Sequence, residues 1–247
     1  MSRADAWADA RAARVALERL LETDGPALPA AFGDRVEAYV TLLLDANARM
    51  NLTRIVEPDA VARLHLLDAL SAVTLLDSLA PARAVDLGSG GGVPGIVLAL
   101  ARPDVSWTLI DSVRKKADVL RGFVPALGLT NVAVVAERAE IMGRDPAHRE
   151  RVDLVAARAC AALPVLAEYA LPLVRIGGTV IAWKGLVGGD ELRAGQAAAA
   201  ILGGVLTVRD PSIAALGDHR FVLMHKVTAT PRRFPRRPGE PAKQPLG

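Results

Sequence analysis

The sequence predicts an α/β fold in which a mostly parallel sheet with helices on both faces follows an N-terminal helical segment. Three observations predict it. From Arg83 onward short apolar runs alternate with helical stretches, the texture of consecutive βαβ units. Before Arg83 the apolar residues recur instead at helical spacing, as in Val36, Tyr39, Val40, Leu43 and Leu44. Between the first strand candidate and the helix after it lies a glycine-rich run, the usual position of a ligand-binding turn in open α/β sheets.

Residues 3–23 and 30–49 read as amphipathic helices, parted by Gly25-Pro26 and Pro29. A third helix spans about 58–79, with Pro58 tolerated in its first turn because its missing N–H has no partner to lose. Strands are expected at Ala84 to Leu87, Ser106 to Ile110, Val132 to Val135, Asp153 to Ala157 and Thr179 to Trp183, with helices at 94–102, 113–127 and 162–174 between them. A Gly/Ala-rich helix near 190–202 precedes two more strand candidates, Gly204 to Arg209 and Arg220 to Val227, which suit an antiparallel hairpin at the sheet edge. The last 18 residues hold five prolines and few large apolar groups, so they are expected to lie extended on the surface or to remain mobile. Three parts follow: a helical extension packed on the core (1–80), the α/β core (81–227) and a basic Pro-rich tail (228–247).

Hydrophobic residues make up 51% of the 247-residue chain and charged residues 23%, a composition that folds. No apolar run reaches the ~18 residues of a membrane span and the N-terminus lacks the layout of a signal peptide, so a cytoplasmic protein is expected. One cysteine, Cys160, makes neither an internal disulfide nor a cysteine metal site, and no metal is expected. Net charge is only +3, yet Lys226 to Gly247 carries six basic residues against one acid, Glu240. That concentration suits either a nucleic-acid backbone or simple solvation.

The glycine run reads Val85-Asp86-Leu87-Gly88-Ser89-Gly90-Gly91-Gly92-Val93-Pro94-Gly95. Gly90, Gly92 and Gly95 satisfy G-x-G-x-x-G, so a dinucleotide oxidoreductase has to be weighed. Two details favour S-adenosylmethionine. Asp86 puts a carboxylate at the strand end, where a pyrophosphate would be repelled but a sulfonium and an ammonium would not. Pro94 removes an N–H that a pyrophosphate would use. Asp111, at the end of the second strand, is placed to accept from a ribose diol in either case.

Taken in order, five blocks resemble the RsmG family, also called GidB: Asn51-Leu52-Thr53; Arg63 to Leu70; Asp86 to Gly95; Asp111-Ser112 with Arg114-Lys115-Lys116; and Ala157-Arg158-Ala159 with Lys184-Gly185. The tail from Pro231 to Leu246 is similar to the family's terminal signature. The resemblance implies a Rossmann-like class I S-adenosylmethionine-dependent methyltransferase that acts on N7 of a guanosine in 16S ribosomal RNA and releases S-adenosylhomocysteine. It implies cofactor contacts at Gly88, Val93, Ala139, Glu140 and Arg158, beside Asp86, Gly90 and Asp111 from the residue reading. Val93 departs from the larger apolar residue frequent there.

Guanine N7 carries a lone pair and no proton, so methyl transfer to it is an in-line displacement that needs alignment rather than a general base. Arg138, Arg158 and His65 are the candidates for a catalytic role, none required by this chemistry. His65 and Asp68 stand i, i+3 on the third helix and can pair. Arg158 fits either the methionine carboxylate or an RNA phosphate. For RNA the candidates are Arg63, Arg114, Lys115, Lys184, Arg232, Arg233, Arg236 and Arg237, with Lys116, Arg138 and Arg158 in support. Aromatic residues are 4% of the chain, too few for stacking platforms, so recognition by charge and RNA shape is expected. The partner is then 16S rRNA or the small ribosomal subunit, with no membrane, and a monomer is expected. Removing 229–247 is expected to weaken RNA binding and spare cofactor affinity. A non-catalytic RNA-binding protein is the competitor from another class.

Overall fold

A computed structural model of the chain describes residues 3–22, 25–211 and 213–247. The predicted helix end at residue 23 lies outside them. Helices α1 (Arg3–Leu21) and α2 (Phe32–Met50) pack together, followed by α3 (Pro58–Val61), a π-helical turn (Ala62–Leu67), α4 (Asp68–Leu70) and α5 (Val73–Leu79). The expected third helix is therefore interrupted by a wider turn. Periodicity alone does not reveal such a turn, because the apolar spacing on either side remains helical.

Next come β1 (Arg83–Leu87), α6 (Gly95–Ala101), β2 (Ser106–Ile110), α7 (Arg114–Ala126), β3 (Val132–Val135), α8 (Ala139–Met142) and β4 (Val152–Arg158). The chain continues through α9 (Leu163–Ala170), β5 (Val174–Lys184), α10 (Gly189–Ile201), β6 (Gly204–Arg209), a 3-10 turn (Ala214–Leu216), β7 (Arg220–Lys226) and α11 (Glu240–Lys243). The sheet order is β3-β2-β1-β4-β5-β7-β6. The first five strands are parallel, while β7 runs antiparallel between β5 and β6, as the hairpin pattern implied. One difference is that β5 begins at Val174, where helix was expected to end. Gly178 lets this strand approach β4, since a Cβ there would stand 2.6 Å from the Asp153 carbonyl oxygen.

Strand alternation divides the core. Ala84, Leu154, Ala156 and Ile181 belong to the cluster that includes residues of α1, α2, α6 and α7, whereas Val85, Leu87, Val155, Ala157 and Val180 belong to the one that includes α9 and α10. Both faces are buried, hence the near-continuous apolar strands. The N-terminal helices share one hydrophobic cluster with the sheet, through Ala6, Ala10, Ala13 and Leu17 of α1 and Val36, Tyr39 and Leu43 of α2. Among the described residues no helix is long and apolar enough to cross a membrane.

The tail is not a loose arm. Arg149 donates to the Phe234 and Thr230 carbonyl oxygens at 2.7 Å each, and Arg144 donates to that of Pro235 at 2.7 Å. Phe234 is buried, and buried Lys226 bonds Thr230 and Glu150. The expectation of a mobile segment is corrected: proline-rich backbone has few internal hydrogen bonds, but side chains far away in sequence supply them.

Candidate active site

Strand order reverses between β1 and β4, and beyond their carboxyl ends lie three adjoining spaces. The turn after β1 is held by the strand beside it, because the Gly88 and Ser89 N–H groups both bond the Ile110 carbonyl oxygen, at 2.9 and 3.0 Å. Gly88, Gly90 and Gly92 have φ of +73°, +55° and +100°, so the bend is one that side chains resist. A Cβ on Gly88 would also stand 3.1 Å from Cys160 Sγ. Tyr39 on α2 donates to the Gly91 carbonyl oxygen at 2.9 Å, fastening the N-terminal layer to the turn.

The first space, about 290 Å³, is lined by Gly88, Asp111, Lys116, Ala139, Glu140 and Tyr169 among others. Asp111 accepts from the Gly90 and Val113 N–H groups at 2.9 and 2.8 Å, which uses part of a carboxylate's acceptor capacity and fixes its position. Glu140 is buried and accepts the Gly239 N–H at 2.8 Å, so the tail helps to build this wall. Two fixed carboxylates beside close-approach backbone fit a nucleoside that donates from its hydroxyls. Cys160 also lines the space, and burial pushes its thiol up to about 11, as suits a packing residue rather than a nucleophile.

Asp86 lies elsewhere. Its side chain is buried behind the turn, with Oδ2 accepting the Gly95 N–H at 3.1 Å and Oδ1 without a partner. Burial raises its pKa to about 7. The expected contact between this carboxylate and a cofactor cation is corrected: Asp86 anchors the start of α6 instead. At the level of sequence the two roles look alike.

The second space, about 160 Å³, runs along the glycine turn past Gly88, Gly90 and Val93. It shares Leu52, Thr53, His65, Arg158 and Ala159 with the third, a cleft of about 1040 Å³. Arg158 organises their junction. Its Nη1 donates to the Leu64 carbonyl oxygen at 2.6 Å and to Asp68 Oδ2 at 3.2 Å, and its Nη2 stands 3.0 Å from His65 Nδ1. Asp68 Oδ1 lies 2.8 Å from His219 Nδ1, and the Asp68 carbonyl oxygen accepts from Trp183 at 2.8 Å. His65 and Asp68 are thus joined through Arg158, not paired with each other as i, i+3 spacing suggested. The π-helical turn shifts the register between them.

Other predicted residues separate from this cluster. Arg138 lines the first space, 3.3 Å from Glu140, so it does not join His65 and Arg158 as a catalytic candidate. Lys184 borders the cleft, but its ammonium is held by Glu191 at 2.8 Å and the Ala161 carbonyl oxygen at 3.0 Å. Arg236 grips fully buried Glu168 with contacts of 2.5 and 2.9 Å, which corrects its place among the RNA-binding residues. Arg63, Arg114, Lys115, Arg232, Arg233 and Arg237 are exposed. Arg54, His219 and Trp183 border the cleft as well and were missed. His219 comes from a loop between edge strands with no motif to signal it, whereas Arg54 directly follows the Asn51-Leu52-Thr53 block.

Sheet, turn and carboxylate-lined cavity together define a class I methyltransferase fold. Solved structures similar in fold include the O-methyltransferase TomG from Streptomyces achromogenes in complex with SAM, with a TM-score of 0.54 and 17% identity, covering 85% of this chain and 95% of that one. A SAM-dependent O-methyltransferase from Thermotoga maritima gives 0.50 and 14%, over 76% and 72%. The family model described as rRNA small subunit methyltransferase G matches residues 34–213. Proteins named ribosomal RNA small subunit methyltransferase G from Rubrobacter xylanophilus and Symbiobacterium thermophilum are 44% and 42% identical, each over 96% of this chain and over 92% and 100% of their own lengths. The chain belongs to the rRNA small subunit methyltransferase G family. That membership sets aside the dinucleotide oxidoreductase reading.

Proposed function

We propose that the protein transfers a methyl group from S-adenosylmethionine to N7 of a guanosine in 16S ribosomal RNA. The observation that carries the reading is the continuity of the three spaces: the nucleoside-sized cavity shares Gly88 and Ala159 with the glycine-turn space, which in turn shares Thr53, His65 and Arg158 with the open cleft. Family membership supplies the substrate class, and the sequence resemblance supplies the base and atom.

S-adenosylmethionine, when bound, supplies an electrophilic methyl group on a sulfonium. Asp111 and Glu140 hold the nucleoside end by accepting from its donors, and the Gly88 backbone permits close approach. Val93 and Ala159 border the passage to the cleft with apolar surface and exclude water. A guanine entering the cleft brings N7 with its lone pair already free, so no side chain has to remove a proton. The residues at the junction align the reactants, an orientation effect. Arg158 acts first as an organiser of that junction, since its Nη atoms are engaged within the protein. The acting form is taken to be the monomer. A ribosomal substrate implies a cytoplasmic enzyme.

The test is to incubate unmodified small-subunit rRNA, free and in assembled particles, with the protein and methyl-labelled cofactor, then map the label. Label at N7 of one guanosine is the expected result. Label on another atom or base, or none on either substrate, would overturn the reading.

A further inference from the structure

The hydrogen bonds at the junction fix not only positions but proton directions. Arginine has no acceptor, so the 3.0 Å contact from Arg158 Nη2 makes His65 Nδ1 the accepting nitrogen. The Leu64 carbonyl oxygen lies farther from Nδ1, at 3.3 Å, and a proton on Nδ1 to reach it would face the Arg158 N–H. Burial and the Arg158 charge hold the His65 pKa down at about 4, so near neutral pH the ring is neutral and its single proton sits on Nε2. Nε2 is 2.9 Å from Thr53 Oγ1 and therefore donates to it. The Ile55 N–H donates to the same oxygen at 3.0 Å. A hydroxyl has two lone pairs and one proton. Both lone pairs of Thr53 are taken, and among the described residues its proton has no acceptor.

Thr53 lines the glycine-turn space and the cleft alike, the seam a nitrogen must reach to meet the methyl group. In guanine, N7 shares an edge with the O6 acceptor, whereas in adenine N7 shares it with an amino donor. A base presenting N7 at this seam brings whatever C6 carries alongside it.

We propose that the Thr53 hydroxyl reads O6 of the target guanine, and that Arg158 and His65 act as positioning residues that leave it able only to donate. It cannot turn to accept from an adenine amino group, because its acceptor sites are already filled. The proposal rests on the guanine-N7 reading above and assigns its base specificity.

The experiment crosses a protein change with a substrate change. Wild-type enzyme and Thr53→Val are compared in single-turnover transfer to small-subunit rRNA carrying either guanosine or 2-aminopurine ribonucleoside, which lacks O6, at the mapped position. A hydrogen bond of ordinary strength makes the O6 deletion cost roughly tenfold more in the wild type than in Thr53→Val. Thr53→Ser should keep the full wild-type penalty, and Thr53→Ala replaces the valine variant in the cycle if that one does not fold. S-adenosylmethionine affinity should stay within about twofold of wild type, since the change leaves every cofactor-holding group in place. Equal O6 penalties in wild type and the valine or alanine variant overturn the proposal. So does a loss of cofactor affinity with the penalty intact, which would assign the hydroxyl to the methionine carboxylate. Wild-type methylation of an atom other than guanine N7 removes the underlying reading as well, and the mapping reveals that before any variant is made.

Discussion

Asp86 shows how one side chain ties the glycine turn to pH. It is buried with one oxygen on the Gly95 N–H and the other unpartnered, and burial raises its pKa to about 7. An aspartate in the unfolded chain loses its proton at pH ~4. Between those values the folded state binds more protons than the unfolded one, so stability falls as pH rises from ~4 to about 7 and is flat above. Asp86→Asn keeps an acceptor for Gly95 and removes the titration. Urea unfolding at pH 5 and pH 8 should show the asparagine variant gaining ~2–3 kcal/mol on the wild type over that interval. A constant difference between the two proteins would contradict a protonated Asp86. The raised pKa was not legible in the sequence, because a carboxylate at a strand end can face a ligand or cap the next helix, and only packing decides between them.

The tail element is held by a buried ion pair as well as by the buried Phe234 ring. Glu168 on α9 is fully buried and Arg236 is its ion-pair partner, with the Arg236 N–H also donating to it at 2.7 Å. Arg236→Ala strips a buried carboxylate of its counter-charge and should lower stability by ~3–5 kcal/mol in denaturant titration, whereas replacing both partners with apolar residues should recover most of that loss. Equal stability for the single and double variants would show that the pair is not what holds the tail. Elements of regular period were legible from the chain: the seven strands follow from Val/Ile-rich runs and the glycine turn from its spacing. The tail's docking was not, because Arg144, Arg149 and Glu168 lie far from it in sequence and nothing in a Pro-rich segment announces them. The π-helical turn was hidden for a different reason, since its Leu64, Leu66 and Leu67 keep a helical apolar pattern while the backbone widens.

Among the described residues, the exposed cations outside any ion pair include Arg54, Arg63, Arg114, Lys115, Arg232 and Arg237, and Arg233, which stands over the Phe234 ring. Removing the entire tail would not isolate its share, because Glu140, Glu150 and Glu168 would each be deprived of a partner. Arg232→Ala, Arg233→Ala and Arg237→Ala together leave those hydrogen bonds in place. The triple variant should keep its melting temperature and cofactor affinity, while the slope of log affinity for rRNA against log salt falls by about 2–3, one increment for each phosphate no longer neutralised. Unchanged slopes would assign the tail a purely structural role. The basic excess of the tail was plain in the composition, but its division into one ion-paired arginine and three exposed ones required the fold. Gly239, whose N–H completes the wall beside Glu140, makes the tail a part of the cofactor cavity, so a chain whose tail is undocked carries that wall unfinished.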